Sequence, residues 1–192
     1  MKKFELTSET KINIFGKKLF RIKALISFAD VEAGETGGWV EKEGNVNQSG
    51  NAWVSGDAMV SGNAKVSGDA KVSGNAEVSG NAMVSGDAKV SGDAMVSGDA
   101  KVSGDAKVSG NAKVYGDAKV YGDADYTTIH GFGAQFRTTT FFRCKDKKVR
   151  VACGCFFGTI PEFREQVKNT RKGKIAEEYL MIADLMEKHF EK

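Results

Sequence analysis

From Gly50 to Gly122 a glycine recurs at every sixth residue with no insertion or deletion, opening thirteen hexads, of which the twelve up to Tyr121 have the form Gly-(Asp/Asn)-Ala-x-Val-(Ser/Tyr) and the last, Gly-Asp-Ala-Asp-Tyr-Thr, departs from it. A fixed-period repeat of this size constrains the fold more than any other feature, because one unit cannot bury a core and must stack on its neighbours. Within each hexad Ala and Val alternate with x and Ser. That is the period of a β-strand, and it puts Ala and Val on one face. The Gly-Asp or Gly-Asn pair that follows is turn chemistry, since both positions tolerate left-handed dihedrals. A strand of four and a turn of two describe a prism. Each hexad forms one side, three hexads form one coil, and coils stack as parallel strands about 4.8 Å apart. With a degenerate hexad at residues 44–49 the repeat makes about four to five coils, roughly 20 Å of prism.

Composition rules out disorder and a collagen-like fibre as the origin of so much glycine. The 192 residues hold 23 Gly but a single Pro, with 41% hydrophobic residues, which is a globular rather than a disordered balance. Glycine at every third position is absent, so the chain is not collagen-like. No apolar run approaches the roughly 20 residues of a membrane helix, and the N-terminal MKKFELTSETK lacks the apolar stretch of a secretory signal. Three cysteines without such a signal point to reduced thiols and a cytoplasmic location.

The hexads, with an inward aliphatic residue such as Val54 and a small residue two positions earlier such as Ala52, resemble the left-handed parallel β-helix of hexapeptide-repeat proteins. Residues 1–43 carry FELTSET, KINIFGKKLFRIKALISFADV and the start of GGWVEKEGNV, which runs on to Val46. Together with the repeat they are similar to the YdcK-like proteins often encoded by phages and prophages. The resemblance implies a triangular, left-handed coil, homotrimers around a threefold axis, and the cytoplasm of a bacterial host. The expected organisation is mainly β: an N-terminal β cap over residues 1–43, the β-helix over residues 44–125, and a connector, basic β-hairpin and two helices over residues 126–192.

Three hexads per coil stack residues 18 apart, which sorts the outward x positions into columns. One reads Trp53, Lys71, Lys89, Lys107, Asp125; the second Met59, Glu77, Met95, Lys113; the third Lys65, Met83, Lys101, Lys119. Stacked like charges repel. The simple resolution is that each lysine reaches an Asp or Asn two residues earlier, beside the first column Asn51, Asp69, Asp87, Asp105 and Asp123. The sharper one is that Lys71, Lys89 and Lys107 line a cleft between subunits that receives an anion. Met59 and Met95 mark the most apolar side and the candidate subunit contact.

After the repeat, Tyr126 to Gly133 reads as a connector turning away from the prism. TTTFFRCKDKKVRVACGCFFGTI reads as a hairpin turning near Asp146-Lys147. Thr159-Ile160-Pro161-Glu162 is a capping box with Pro in the first turn, opening a helix to about Asn169. A second helix from about Ile175 places Ile175, Tyr179, Ile182, Met186 and His189 on one face, for the hairpin or for a neighbouring subunit. Residues 137–174 hold eleven Lys or Arg against three acids. Arg137, Arg143, Lys145, Lys147, Lys148, Arg150, Lys168, Arg171 and Lys172 are therefore candidates to grip nucleic acid or an acidic protein surface. The alternative is a solvated face whose charges protect a sheet edge.

Many hexapeptide-repeat proteins are acyltransferases with a His as general base near a loop that interrupts the coils. This repeat has no His and no such loop; His130 and His189 both lie beyond it. Cys144, Cys153 and Cys155 lack the Cys-x-x-Cys spacing of zinc sites and read as small buried apolar residues, so no metal or cofactor is expected. The expected function is a non-catalytic homotrimeric scaffold that binds a host macromolecule, as a phage or mobile-element accessory protein acting in counter-defence. The alternatives are a nucleotide or small-anion sponge built on the lysine columns, and an acyltransferase.

Overall fold

The computed structural model describes residues 2–191. The outermost residue of each expected flank, and the side chain of Asp123, lie outside the described residues. The chain is mainly β. It opens with β1 (Phe4–Ile12), β2 (Lys18–Ala24) and β3 (Thr36–Val40). Twelve two-residue strands follow, β4 to β15, one per hexad from Trp53–Val54 to Lys119–Val120. Then come β16 (Tyr126–Phe132), β17 (Arg137–Arg143), β18 (Val149–Cys153), β19 (Phe156–Thr159), α1 (Ile160–Thr170) and α2 (Gly173–Phe190).

The repeat forms a parallel β-solenoid with four of its two-residue strands on each of three sides. Residues 18 apart pair in register, Lys71 with Lys89 and Lys89 with Lys107 on one side, Glu77 with Met95 on the next. The strand is shorter than the four residues expected: only x and Val form it, and Ala lies between it and the Gly-Asp or Gly-Asn turn. Every Ala and Val from Ala52 to Val120 in the hexad pattern is buried. The corner glycines from Gly50 to Gly116 are left-handed. Gly80 stands at φ +69°, and a Cβ there would lie 2.9 Å from the backbone nitrogen of Gly98 in the next coil. Glycine alone takes the left-handed dihedral in these turns. The adjoining Asn and Asp instead hydrogen-bond one another between coils. Asn63 Nδ2 donates to Asn81 Oδ1 at 3.2 Å and Asn81 Nδ2 to Asp99 Oδ1 at 3.0 Å.

The first coil has carbonyls with no coil beneath them, and the N-terminal segment satisfies each side differently. Lys3, itself buried, sends its ammonium to the carbonyls of Gly50 and Ala52 at 3.1 and 2.8 Å. Burial lowers its pKa to about 8. Strand β3 donates Trp39 N to Ala58 O, and just beyond it Glu41 N donates to Val60 O. The Asn45 amide donates to Gly62 O and Ala64 O at 3.2 and 2.9 Å. Edge carbonyls that would otherwise invite another strand are thus filled from within the chain.

The far end is closed by a four-stranded antiparallel meander in the order β16-β17-β18-β19. The expected hairpin is its central pair, and the segment expected to turn away is its first strand. Adjacent residues of β17 face opposite ways. Phe142 joins the solenoid core and Phe141 packs against Phe163 of α1. The lid is fastened by Lys113 N donating to Thr140 Oγ1 at 3.0 Å, Lys145 N to Asp117 O at 3.2 Å, and a bridge between Ala118 and Cys144.

Helix α1 starts at the predicted capping box, with Glu162 N donating to Thr159 Oγ1 and Thr159 N to Glu162 Oε2. Helix α2 begins two residues before the position expected. Its apolar face turns to the meander: Tyr179, Ile182 and Met186 are buried within the chain and Ile175 packs beside them. Of the two uses expected for this face, the described residues show packing against the chain's own meander. Phe190, not His189, completes that face, because His189 is exposed one residue to the side.

Candidate functional site

Lys71 finds its counter-ion outside the turn column. It pairs with Asp30 of the β2–β3 loop, with Nζ and Oδ1 at 2.5 Å. That hydrogen bond holds the Asp30 carboxyl below its ordinary range. Asp30 and Glu35 overhang a shallow groove of about 360 Å³ along Lys71 and Lys89. Acid from the cap thus already lines the place expected to receive an anion. The backbone carbonyl of Lys107 accepts a hydrogen bond from the Tyr126 hydroxyl.

On the second side, Glu77 lies between Met59 and Met95 and is only 7% exposed, with no hydrogen-bond partner for Oε1. Burial pushes its carboxyl above the usual range. The unfolded chain ionises this group near pH 4.5 while the folded chain still holds the proton. Its contribution to stability is therefore full below that pH and is lost as pH rises through the raised folded value. Glu77→Gln keeps the shape and removes the titration. It is expected to raise the melting temperature at pH 7 and to leave it unchanged at pH 3. Thermal melts across that range check this, and an equal shift at both ends would contradict it.

The basic C-terminal segment divides into committed and uncommitted cations. Arg143 is committed: its guanidinium donates to Phe190 O at the end of α2 at 2.9 Å and faces Asp125 at 3.5 Å. Arg150 is committed too, pairing with Asp146 at 2.8 Å. Both leave the set of free partner contacts, since each is used to hold the module together. Arg137, Lys145, Lys147, Lys148, Lys168, Arg171 and Lys172 are exposed and have no carboxylate within ion-pair distance among the described residues.

These seven form two groups, not one patch. Lys145, Lys147 and Lys148 crowd the turn after β17, where Lys147 is left-handed at φ +64°. Asp146, the exposed acid on that turn, pairs with Arg150 and accepts from Lys148 N. Arg137 stands at the opposite end of β17, about 20 Å away at the rise of a strand. It is joined there by Arg171, at the end of α1, with Lys168 and Lys172 close in sequence.

Arg137 and Arg171 share a cavity of about 230 Å³ between the meander and α1. Its floor is Phe156 and Phe163, ring centroids 5.4 Å apart, with Val167. Gln166, Thr170 and the Tyr179 hydroxyl supply polar groups. Gly154, at φ +61°, opens space for Arg137: a Cβ there would collide with its Nη1. Burial, then the neighbouring Cys153, pushes the Tyr179 phenol up, while Arg171 and Arg137 pull it down, so both guanidiniums lie within electrostatic reach of that hydroxyl.

The thiols differ more than expected. Cys144 is buried under the terminal coil and its thiol is pushed up to about 12, chiefly by burial. Cys155 is exposed and Cys153 half-buried. Cys153 ends β18 and Cys155 lies in the tight turn to β19, on either side of Gly154. His130 contacts Thr138 Oγ1 at 3.1 Å and lines a broad depression of about 570 Å³. Sequence reasoning missed Phe156, Phe163, Gln166 and Thr170 as cavity residues, because they come from two separate elements and carry no motif. No helix among the described residues is long and apolar enough to cross a membrane. No protein-family model matches the chain, and a search of curated proteins finds no match either.

Proposed function

We propose that the protein is a non-catalytic homotrimeric binding scaffold: a rigid solenoid that carries the basic C-terminal module to an acidic macromolecular partner. The observation that carries this reading is the β17–β18 turn, where Asp146 pairs with Arg150 and leaves Lys145, Lys147 and Lys148 exposed. Three exposed cations without an ion pair among the described residues, on a turn anchored in a sheet, are poised for a polyanionic surface and supply salt-dependent attraction. The likeness of the hexads to YdcK-like hexapeptide-repeat proteins supports a mobile-element accessory role in a bacterial cytoplasm, with counter-defence by binding as its use. Trimer formation rests on the Met59–Met95 side, whose central carboxyl is buried and held toward its neutral form. Sedimentation at micromolar concentration tests it, a monomer being the contrary result.

Binding is tested on immobilised heparin as a defined polyanion. Replacing Lys145, Lys147 and Lys148 together by Glu is expected to shift elution to markedly lower salt. The same change at Lys71, Lys89 and Lys107 is expected to shift it little. Equal elution of the first variant and the unaltered protein would overturn the proposal.

A further inference from the structure

We infer that the cavity between the meander and α1 is a binding site for a small organic oxyanion, a carboxylate or phosphate carried on an apolar, ring-sized body. Such a site is separate from macromolecular docking, since this cavity lies at the far end of β17 from the lysine turn and is lined by different residues. Charge, shape and size each narrow the ligand.

The charge is that of two guanidiniums on one rim without a carboxylate partner. Arg171 Nη1 donates to its neighbour's carbonyl, Thr170 O, at 3.1 Å, which leaves the other donors of the fork for a ligand. Arg137 is laid over Gly154 by the absence of a side chain there, so its position is set by the β18–β19 turn rather than by a counter-ion. A planar fork with five donors binds an oxyanion in two-pronged fashion, and such charge-assisted bonds are the strong ones. A neutral or cationic ligand would leave this pair of charges facing each other across an apolar floor.

The floor explains why inorganic phosphate alone is an incomplete match. Phe156 and Phe163 present ring surface, and Val167 closes the base. Burying an apolar body there contributes about 25 cal/mol per Å², while the Gln166 side-chain amide offers N–H donors at its edge. Tyr179 forms a fixed wall of the site: its ring meets Phe163 edge-on at 5.8 Å, and its hydroxyl rests against Gly133 and gives its proton to Phe132 O at 3.4 Å. At about 230 Å³ the space is smaller than the roughly 300 Å³ at which drug-sized sites begin. A single substituted ring is therefore favoured over a dinucleotide.

Titration calorimetry of the full chain with phenyl phosphate, benzoate, inorganic phosphate and benzyl alcohol tests this. The expected result is saturable, one-to-one binding of phenyl phosphate or benzoate. Inorganic phosphate and benzyl alcohol, which each lack half of the recognised chemistry, should bind at least about tenfold more weakly. The two anion arms tell a phosphate site from a carboxylate site. Arg137→Gln and Arg171→Gln should each weaken binding about tenfold or more without moving the melting temperature, and Lys101→Gln, at an exposed solenoid position, should leave binding unchanged. Absence of saturable binding by both ring-bearing anions would overturn the inference, as would undiminished binding by both arginine variants.

Discussion

Replacing Val84 by Asp is expected to eliminate the cooperatively melting, soluble form of the protein, while replacing its neighbour Met83 by Asp leaves stability within about 0.5 kcal/mol. The two residues form a single two-residue strand and differ only in which way they point. Val84 is wholly buried inside the prism, surrounded by the Val and Ala of the coils above and below. An unpaired carboxylate there meets no donor and costs several kcal/mol at least, in an interior so thin that no water can follow it. Met83 points outward at 37% exposure and sits in register between Lys65 and Lys101. An Asp at that position gains two opposite charges across the strands. Circular dichroism melts of the two variants check this, and equal damage at both positions would contradict the inward and outward assignment of the hexad.

The second large effect is expected at the junction of solenoid and lid. Phe142→Ala should cost about 3–5 kcal/mol, because the ring is fully buried and stacked 6.2 Å from Phe157, with Tyr115 of the last coil at the same distance. Phe141→Ala removes an equally buried ring of the same size, but one that packs toward Phe163 and α1. Amide hydrogen exchange separates them. Loss of Phe142 should loosen the terminal coil around Lys113–Val114 and Lys119–Val120, whereas loss of Phe141 should loosen α1 and α2. The same exchange pattern in both variants would mean that β17 does not divide the two cores as described.

What could be read from the sequence follows from what repeats. The 18-residue columns were legible because each hexad makes the same contact as the next, so the pattern is stated twelve times. The caps were legible only as segments. That Lys3 and Asn45 would fill orphan carbonyls depends on contacts made once each, 49 residues away for Lys3 to Ala52 and 19 for Asn45 to Ala64. No periodicity announces a contact of that kind. Tyr126 to Gly133 reads as a connector, yet the strand runs to Phe132, its register shifting between Ile129 and Phe132 where Gly131 is left-handed, and turns at Gly133, where the Tyr179 hydroxyl fills the room a side chain would take. Net charge misled in a similar way. It identified the basic segment, but only geometry shows that Arg143 and Arg150 serve the module's own packing and that the remaining cations gather at two ends of one strand.

Lysine footprinting tests the proposed binding role most directly. The protein is acetylated briefly with and without heparin, and each site is read by mass spectrometry. If the β17–β18 turn is the docking point, Lys145, Lys147 and Lys148 become protected while Lys71 and Lys89 react as before. Protection of the solenoid column, with the turn lysines reacting unchanged, would contradict it.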